Sequence, residues 1–573
     1  MKKRLLLFIV ILAAPAAFAA EATVTAFRVT PGENAARVEW QATADGIDGW
    51  AIEWRSPARF FGPVTQGVNA NERSYTITGL RPGRVYTVRI YPYVRQDRTI
   101  RNVRLTGDRP TAEFRVGRPA TGKPATPRGL RAVADADRVL VSWAPNPERH
   151  VAGYEIGRMG PDDEEFQPYA RLNIAAPRPS IELVEGGSLE ATGVAELVDP
   201  NVEEGAEYRY SVRAFTEGDP PEHQSDPSPP VAVTAEPYRF RPPDLLIVSN
   251  VRAPNAERIA NNYARARQLR NVQRLRVDLP VGAEISREDF NRRLLAPVRE
   301  HVAGHPRTTI ILLVRGIPWR IRQSDLSGPR RYQDWCRASV DSELTLARVD
   351  EPPVQGRIRN PLHARAEPLS PVHQLIAVCR LDGPDDQTAN ELVSRAIQAQ
   401  RQGVEGIAFF DARGIQSGAY AMGDRTILRA AELMKESERM PVRIDEAPAV
   451  VDLSTVDEKI GFYYGWYSSR FEPANENFRF GRGAIGGHIH SYAGHSISRD
   501  RGWVGQMLWH GATAAVGVAD EPLLDGFPTA DALVDALLRG RNFAEASLAA
   551  SRYVSWMPIY VGDPLYRPFP AED

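Results

Sequence analysis

The chain has 573 residues, with 71 Lys+Arg against 72 Asp+Glu and 43% hydrophobic residues. At roughly 100–200 residues per domain the length implies several cores, and the apolar fraction excludes a chain disordered throughout. A formal net charge of −1 excludes the basic excess of a general nucleic-acid binder, and two cysteines exclude a disulfide scaffold.

The chain opens MKKRLLLFIVILAAPAAFAA: Lys2, Lys3 and Arg4, an apolar run from Leu5 to Ala14, then Ala17-Phe18-Ala19. This order predicts a secretory signal peptide over 1–19, with an apolar run shorter than the roughly 20 residues that span a membrane. The expectation is a protein exported to the periplasm or beyond, with no integral membrane segment in the mature chain. In an oxidising compartment Cys336 and Cys379 are either a single disulfide or two buried thiols, and spacing alone does not choose.

Residues 22–118 read as short strands between turns. Arg37-Val38-Glu39-Trp40, Trp50-Ala51-Ile52-Glu53-Trp54 and Ser74-Tyr75-Thr76-Ile77 alternate at period two, the mark of strands with one buried face. Leu80-Arg81-Pro82-Gly83 before Tyr86 supplies the turn of a tyrosine corner, where a phenol bonds back to nearby backbone. The pattern repeats over 124–237. Val139-Leu140-Val141-Ser142-Trp143 and Gly153-Tyr154-Glu155-Ile156 give strands, and Val202 to Ala214 gives a corner at Tyr208 with Val202 and Glu204 in place of Leu and Pro. Extra residues lie between 163 and 195. Both units resemble fibronectin type III domains, which implies two β-sandwiches acting as spacers or binding platforms. Proline-rich joints at 117–127 and 237–243 mark their ends.

From Pro243 to about residue 570 the texture is α/β. Leu245–Asn250, Thr308–Val314, Leu375–Val378, Gly406–Asp411, Ile460–Tyr464, Ala484–Ile489 and Ala514–Val518 read as buried strands. Between them, Asn255 is a candidate cap for a helix bearing Ile259, Tyr263, Ala266 and Leu269. Ser286 with Asp289 resembles a capping box ahead of a stripe of Phe290, Leu294, Val298 and Val302 that stops at Gly304. Such alternation predicts a mainly parallel sheet whose sites lie at the carboxyl ends of strands.

Polar strand ends are therefore the candidate site residues. They are Arg380 and Asp382 in one segment, Asp411-Ala412-Arg413 in the next, Trp466 and Tyr467 after Tyr463-Tyr464-Gly465, and His488, His490 and Ser491 in Gly483–His495. On a continuous strand His488 and His490 would share a face, as a metal pair or an acid/base site. No H-E-x-x-H or CxxC partner accompanies them, and no motif calls for a cofactor.

The order of motifs over 243–570 resembles gingipain-type cysteine peptidases and a group of exported bacterial proteins with the same series. The matching segments are Ser339–Leu344 with Asp341, Cys379–Gly383, Phe409–Asp411, Tyr463–Trp466, His490–Gly494 and the closing Gly562-Asp563-Pro564. The resemblance implies a caspase-like α/β fold and a site holding Asp341, Arg380 and Asp382 beside Trp466 and Tyr467. It also exposes two departures. Trp466 stands where the family has its histidine, and Ser491 where it has its cysteine. Tryptophan has no basic nitrogen, and a serine without a base is a poor nucleophile. Two outcomes follow: a non-catalytic pocket kept for binding a periplasmic or extracellular protein or glycan, or a hydrolase with Ser491 as nucleophile. In the second, His490 or His488 is the base, oriented by an aspartate such as Asp411. A glycan-degrading reading draws on Trp466, Tyr467, Trp503 and Trp509 as sugar-stacking rings and on Asp411, Glu521 and Asp563 as acids.

Overall fold

The computed structural model describes residues 21–570 apart from 33, 56–63, 79, 81–84, 97–98, 104, 106–109, 117–122, 149–150, 175–179, 184–187, 191–194, 217–223, 323–337, 349–356, 366, 469, 472 and 499–501. The expected signal peptide, Cys336 and most of the first joint lie outside the described residues. No described helix is long and apolar enough to cross a membrane.

Alternating strands of the first unit form two facing sheets. One holds Glu21–Pro31, Ala35–Asp45 and Ser74–Thr78; the other holds Val64–Asn69, Gly49–Arg55, Val85–Gln96, Thr99–Asn102 and Thr111–Arg115. Trp40 from one sheet meets Trp50 from the other at 6.2 Å between ring centroids, so the two bulkiest side chains fill the layer between them. The second unit repeats the arrangement, with Trp143 edge-on to Tyr154 at 5.1 Å. There the Tyr208 hydroxyl accepts the Glu203 N–H at 3.0 Å, which makes the corner despite its altered turn. The extra residues supply Ser180–Leu183 and Ser188–Glu190, an edge pair that extends the larger sheet beyond Gln167–Asn173.

The remainder is built on one ten-stranded sheet. Its strands are β1 (Leu245–Asn250), β2 (Gln273–Val277), β3 (Ile310–Val314), β4 (Ala377–Leu381), β5 (Ile407–Asp411), β6 (Val442–Asp445), β7 (Ile460–Gly465), β8 (Ile485–His488), β9 (Ala514–Val518) and β10 (Pro558–Gly562). The order across the sheet is β2-β1-β3-β4-β10-β9-β8-β7-β5-β6, parallel throughout except where β9 meets β10. Each end thus repeats one winding: β2-β1-β3-β4 on one side, β6-β5-β7-β8 on the other. The longer helices are α1 (Ala256–Ala266), α2 (Ala296–Gly304), α4 (Asp386–Gln402), α5 (Ala421–Glu436), α7 (Ala530–Leu538) and α8 (Phe543–Ala550). The shorter α3 (Val340–Leu344) and α6 (Trp503–Trp509) complete the set named here.

Both faces of the sheet are covered, which is why its strands read as unbroken apolar runs. In β1, Leu245 and Ile247 join one core while Leu246 and Val248 join another. Phe290, Leu294, Val298 and Val302 all reach the second core, each contributing about 1.5–3 kcal/mol relative to exposure. Ser286 caps as expected, accepting the Asp289 N–H at 3.0 Å. Asn255 does not: it sits at φ 66° and its amide donates to Asp386 at 2.7 Å, tying α1 to α4 instead of closing a helix end. Cys379 is a free, fully buried thiol packed in the core of β4, and no disulfide is formed there.

Candidate functional site

In a sheet wound this way, the crevice opens where neighbouring strands send their connections in opposite directions. At the first such point, between β1 and β3, Asn250 fills the gap. Its amide donates to Leu279 and Gly316 carbonyls at 3.2 and 2.9 Å, and its oxygen accepts two backbone N–H groups at 3.1 Å. At the second point, between β5 and β7, the carboxyl ends carry Asp411, Trp466 and Tyr467, with His488 next along on β8.

Buried at this edge is a directed chain of polar groups. The Ser468 backbone N–H donates to His488 Nε2 at 3.1 Å, so that nitrogen is an acceptor and the proton of a neutral ring lies on Nδ1. Nδ1 faces the Tyr463 hydroxyl at 3.0 Å, and the hydroxyl in turn donates to Asp411 Oδ2 at 3.3 Å. The ring of His488 lies flat on Trp503, centroids 3.5 Å apart and planes 8° from parallel. Burial holds the His488 imidazole well below its ordinary range, and His490 acts in the same direction. Burial also pushes the Asp411 carboxyl up to about 7, against the bonds from Val451 N–H and Tyr463. Asp411 Oδ1 is buried with no hydrogen-bond partner among the described residues.

The two positions that depart from the peptidase pattern start side by side and then diverge. Ile489 N–H donates to Gly465 O at 2.8 Å, so the ends of β7 and β8 are adjacent. Trp466 turns toward α5, where its indole N–H donates to Asp424 Oδ1 at 2.5 Å and its ring packs over Gly423. Ser491 turns the other way and gives its hydroxyl proton to Glu521 beyond β9. Glu521 also accepts the Leu523 N–H at 2.9 Å, which anchors its loop.

His490 lies past the end of β8, which stops at His488, and this breaks the expected shared face of the two histidines. Its half-buried ring meets Tyr467 at 4.9 Å between centroids. Burial pushes its ring down, partly offset by the Ser491 backbone and the Glu521 charge. No group of three or more metal-ligating side chains occurs among the described residues.

Asp341, Arg380 and Asp382 lie elsewhere, in the first half of the sheet. Arg380 is fully buried; its Nε donates to both oxygens of Asp341 at 2.8 and 3.0 Å, and its Nη atoms donate to the Ile317 and Pro318 carbonyls at 2.9 Å. Asp382 receives Arg315 at 2.9 Å. These groups satisfy one another and hold loops, so they are structural partners and do not line the Trp466–Tyr467 edge. Asp563 is likewise consumed, accepting from Tyr263, Arg267 and the Leu565 N–H at 2.6–2.9 Å. Trp503 is buried beneath His488, and of the proposed sugar-stacking rings only Tyr467 is strongly exposed.

Sequence reasoning marked Arg413 only as part of the polar strand end Asp411-Ala412-Arg413, and missed Tyr420 and Asp424 as parts of this edge. Asp424 is hidden in a helix and becomes a partner only because α5 folds back across β5. Tyr420 stands at the start of that helix with no motif to mark it.

Residues 22–106 match the family model "Fibronectin type III domain". Among solved structures, a two-domain fibronectin type III segment of chicken tenascin is 14% identical, covering 37% of this chain and 98% of its own, with TM-score 0.16. One titled "Myokine structure" is 21% identical over 20% of this chain and 99% of its own, TM-score 0.14, and the FN1–FN3 domains of chicken CNTN1 are 14% identical over 37% and 67%, TM-score 0.16. The chain therefore carries a fibronectin type III domain at its front, a type of module that serves as scaffold or binding platform, ahead of a large, mostly parallel α/β sheet.

Proposed function

We propose that the chain is an exported binding or scaffold protein, its two β-sandwiches carrying an α/β unit of gingipain-like, caspase-like descent that holds a ligand without cutting it. The observation that carries this reading is that the His488 ring and the Ser491 hydroxyl are already engaged by other groups. Both nitrogens of His488 are engaged by Ser468 and Tyr463, and the Ser491 hydroxyl is engaged by Glu521. A general base must lie within about 2.6–3.2 Å of the proton it takes, and the serine proton already points at a carboxylate. The ligand-bearing surface is the carboxyl edge of β5, β7 and β8, and the partner is a periplasmic or extracellular protein or glycan.

The test is a serine-reactive phosphonate together with broad peptide-substrate profiling of the full chain. The expected result is no label on Ser491 and no cleavage above the Ser491→Ala variant. Stoichiometric labelling of Ser491, or cleavage abolished by Ser491→Ala, overturns the reading in favour of a hydrolase based on His490.

A further inference from the structure

The carboxyl edge of β5 and β7 carries an unusual surface. Tyr420 is 66% exposed and Tyr467 50%, two of the few large apolar side chains so exposed among the described residues. Both belong to one row of π systems. Tyr420 packs against Trp466 at 6.4 Å, the Arg413 guanidinium lies 5.7 Å from the Trp466 ring and 5.8 Å from that of Tyr467, and Tyr467 meets His490 at 4.9 Å. Arg413 forms no ion pair among the described residues, and its Nε is buried without a hydrogen-bond partner. Neither nearby carboxylate pairs with the Arg413 guanidinium: Asp424 binds Trp466 and the backbone of Arg413 and Ile415, and Asp411 binds Tyr463 and Val451 through Oδ2.

A cation pre-stacked on two rings and lacking a carboxylate is built to receive one, because Arg presents a planar fork that matches that group. Exposed tyrosines beside it offer flat apolar faces with polar tips, the surface on which sugar rings stack. An acidic peptide would need apolar holes for its side chains or a free strand edge; here the edge is an open row of rings, with β5 and β7 paired on both sides. The geometry points to a saccharide bearing a carboxylate as the ligand of this edge, its acid on Arg413 and its ring faces on Tyr467 and Tyr420. This rests on the binding reading above and names its ligand class.

The experiment is calorimetric titration of the full chain with oligogalacturonate, alginate and hyaluronan oligosaccharides, and with neutral oligosaccharides of matched length. At least one acidic oligosaccharide is expected to bind, with matched neutral chains at least tenfold weaker. Arg413→Gln and Tyr467→Ala are each expected to weaken binding at least tenfold, and Arg413→Lys less than Arg413→Gln. Tyr420→Ala, which removes a solvent-exposed ring, is expected to weaken it severalfold and serves if the other variants do not fold. Equal affinity for neutral chains, indifference to these variants, or no binding by any acidic saccharide overturns the proposal. Binding of poly-glutamate through Arg413 with no saccharide bound also overturns it, in favour of an acidic peptide. None of these outcomes depends on whether Ser491 reacts with a phosphonate, so the two readings fail separately.

Discussion

Asp411 and His488 are buried at the two ends of one chain of polar groups, on either side of the Tyr463 hydroxyl, yet burial moves their titrations in opposite directions. Asp411 is raised to about 7, against about 3.9 for an unfolded aspartate. Between those values the folded chain keeps a proton that the unfolded chain has lost. Its stabilising contribution is therefore complete below about pH 4 and disappears as pH rises through about 7. His488 is lowered, so its contribution is present above about pH 6.5 and is lost as pH falls below that. Comparing Asp411→Asn with the parent at each pH cancels the histidine. Urea unfolding is expected to show the two equally stable near pH 4.5 and the Asn variant more stable at pH 8, by on the order of 3 kcal/mol. A difference that does not change with pH would rule out a buried, proton-holding Asp411. The sequence marked both residues as strand ends, and both are at the site. Their roles were not legible, because Tyr463 lies 52 residues from Asp411 and 25 from His488, and only the sheet brings them together.

Elements were most legible where burial on two faces wrote an unbroken apolar run, as in β1, β3, β5 and β9. They were least legible where tertiary packing, not local signal, made them. Helix α5 starts at Ala421 after Tyr420, which makes no side-chain cap bond, and has a glycine in its first turn, so nothing in the sequence announces it. The glycine has a reason. A Cβ on Gly423 would lie 2.5–2.8 Å from three atoms of the Trp466 ring, so the helix can approach that ring only without a side chain there. Alanine is favoured over glycine in a helix by about 1 kcal/mol, but overpacking a tight contact costs about 1–3 kcal/mol. Gly423→Ala is therefore expected to lower the thermal midpoint in the parent and to raise it in a Trp466→Ala background. The same sign in both backgrounds would show that the contact does not control the helix. Strand β10 was missed for another reason. Its pairing antiparallel to β9 and parallel to β4 joins the two halves of the sheet, and no local period records a partner nearly two hundred residues away.

At the scale of the molecule the change from sandwiches to a mostly parallel sheet was legible from texture, whereas the connection between them was not. The proline-rich stretch 237–243 reads as a joint, yet it is bound along its length. The Tyr238 hydroxyl donates to Asp244 Oδ2 at 2.9 Å, Arg307 donates to both Asp244 oxygens at 3.1 and 3.0 Å and to the Arg239 carbonyl at 2.9 Å, and its guanidinium lies 4.9 Å from the Tyr238 ring. Arg241 N–H adds a further bond to Asp244 at 2.9 Å, and Arg131 of the second sandwich reaches the Ala303 carbonyl at 3.3 Å. Asp244 is 1% exposed, so it gathers one cation, one phenol and one amide at a point that water does not reach. Removing one partner of such a buried cluster leaves the others uncompensated, at a cost of about 3–5 kcal/mol. Calorimetry of the full chain should show the second sandwich and the α/β unit melting in one transition, because Tyr238 bonds to this cluster through its hydroxyl and to Asp135 of the sandwich through its N–H at 3.2 Å. Asp244→Ala is expected to split that transition, with the sandwich melting apart from the sheet, while Asp278→Ala on an exposed pair leaves it whole. If the Asp244 variant still melts in one step at the parent temperature, the strap does not couple the two units, and the sandwich would be a tethered spacer free of the sheet it precedes.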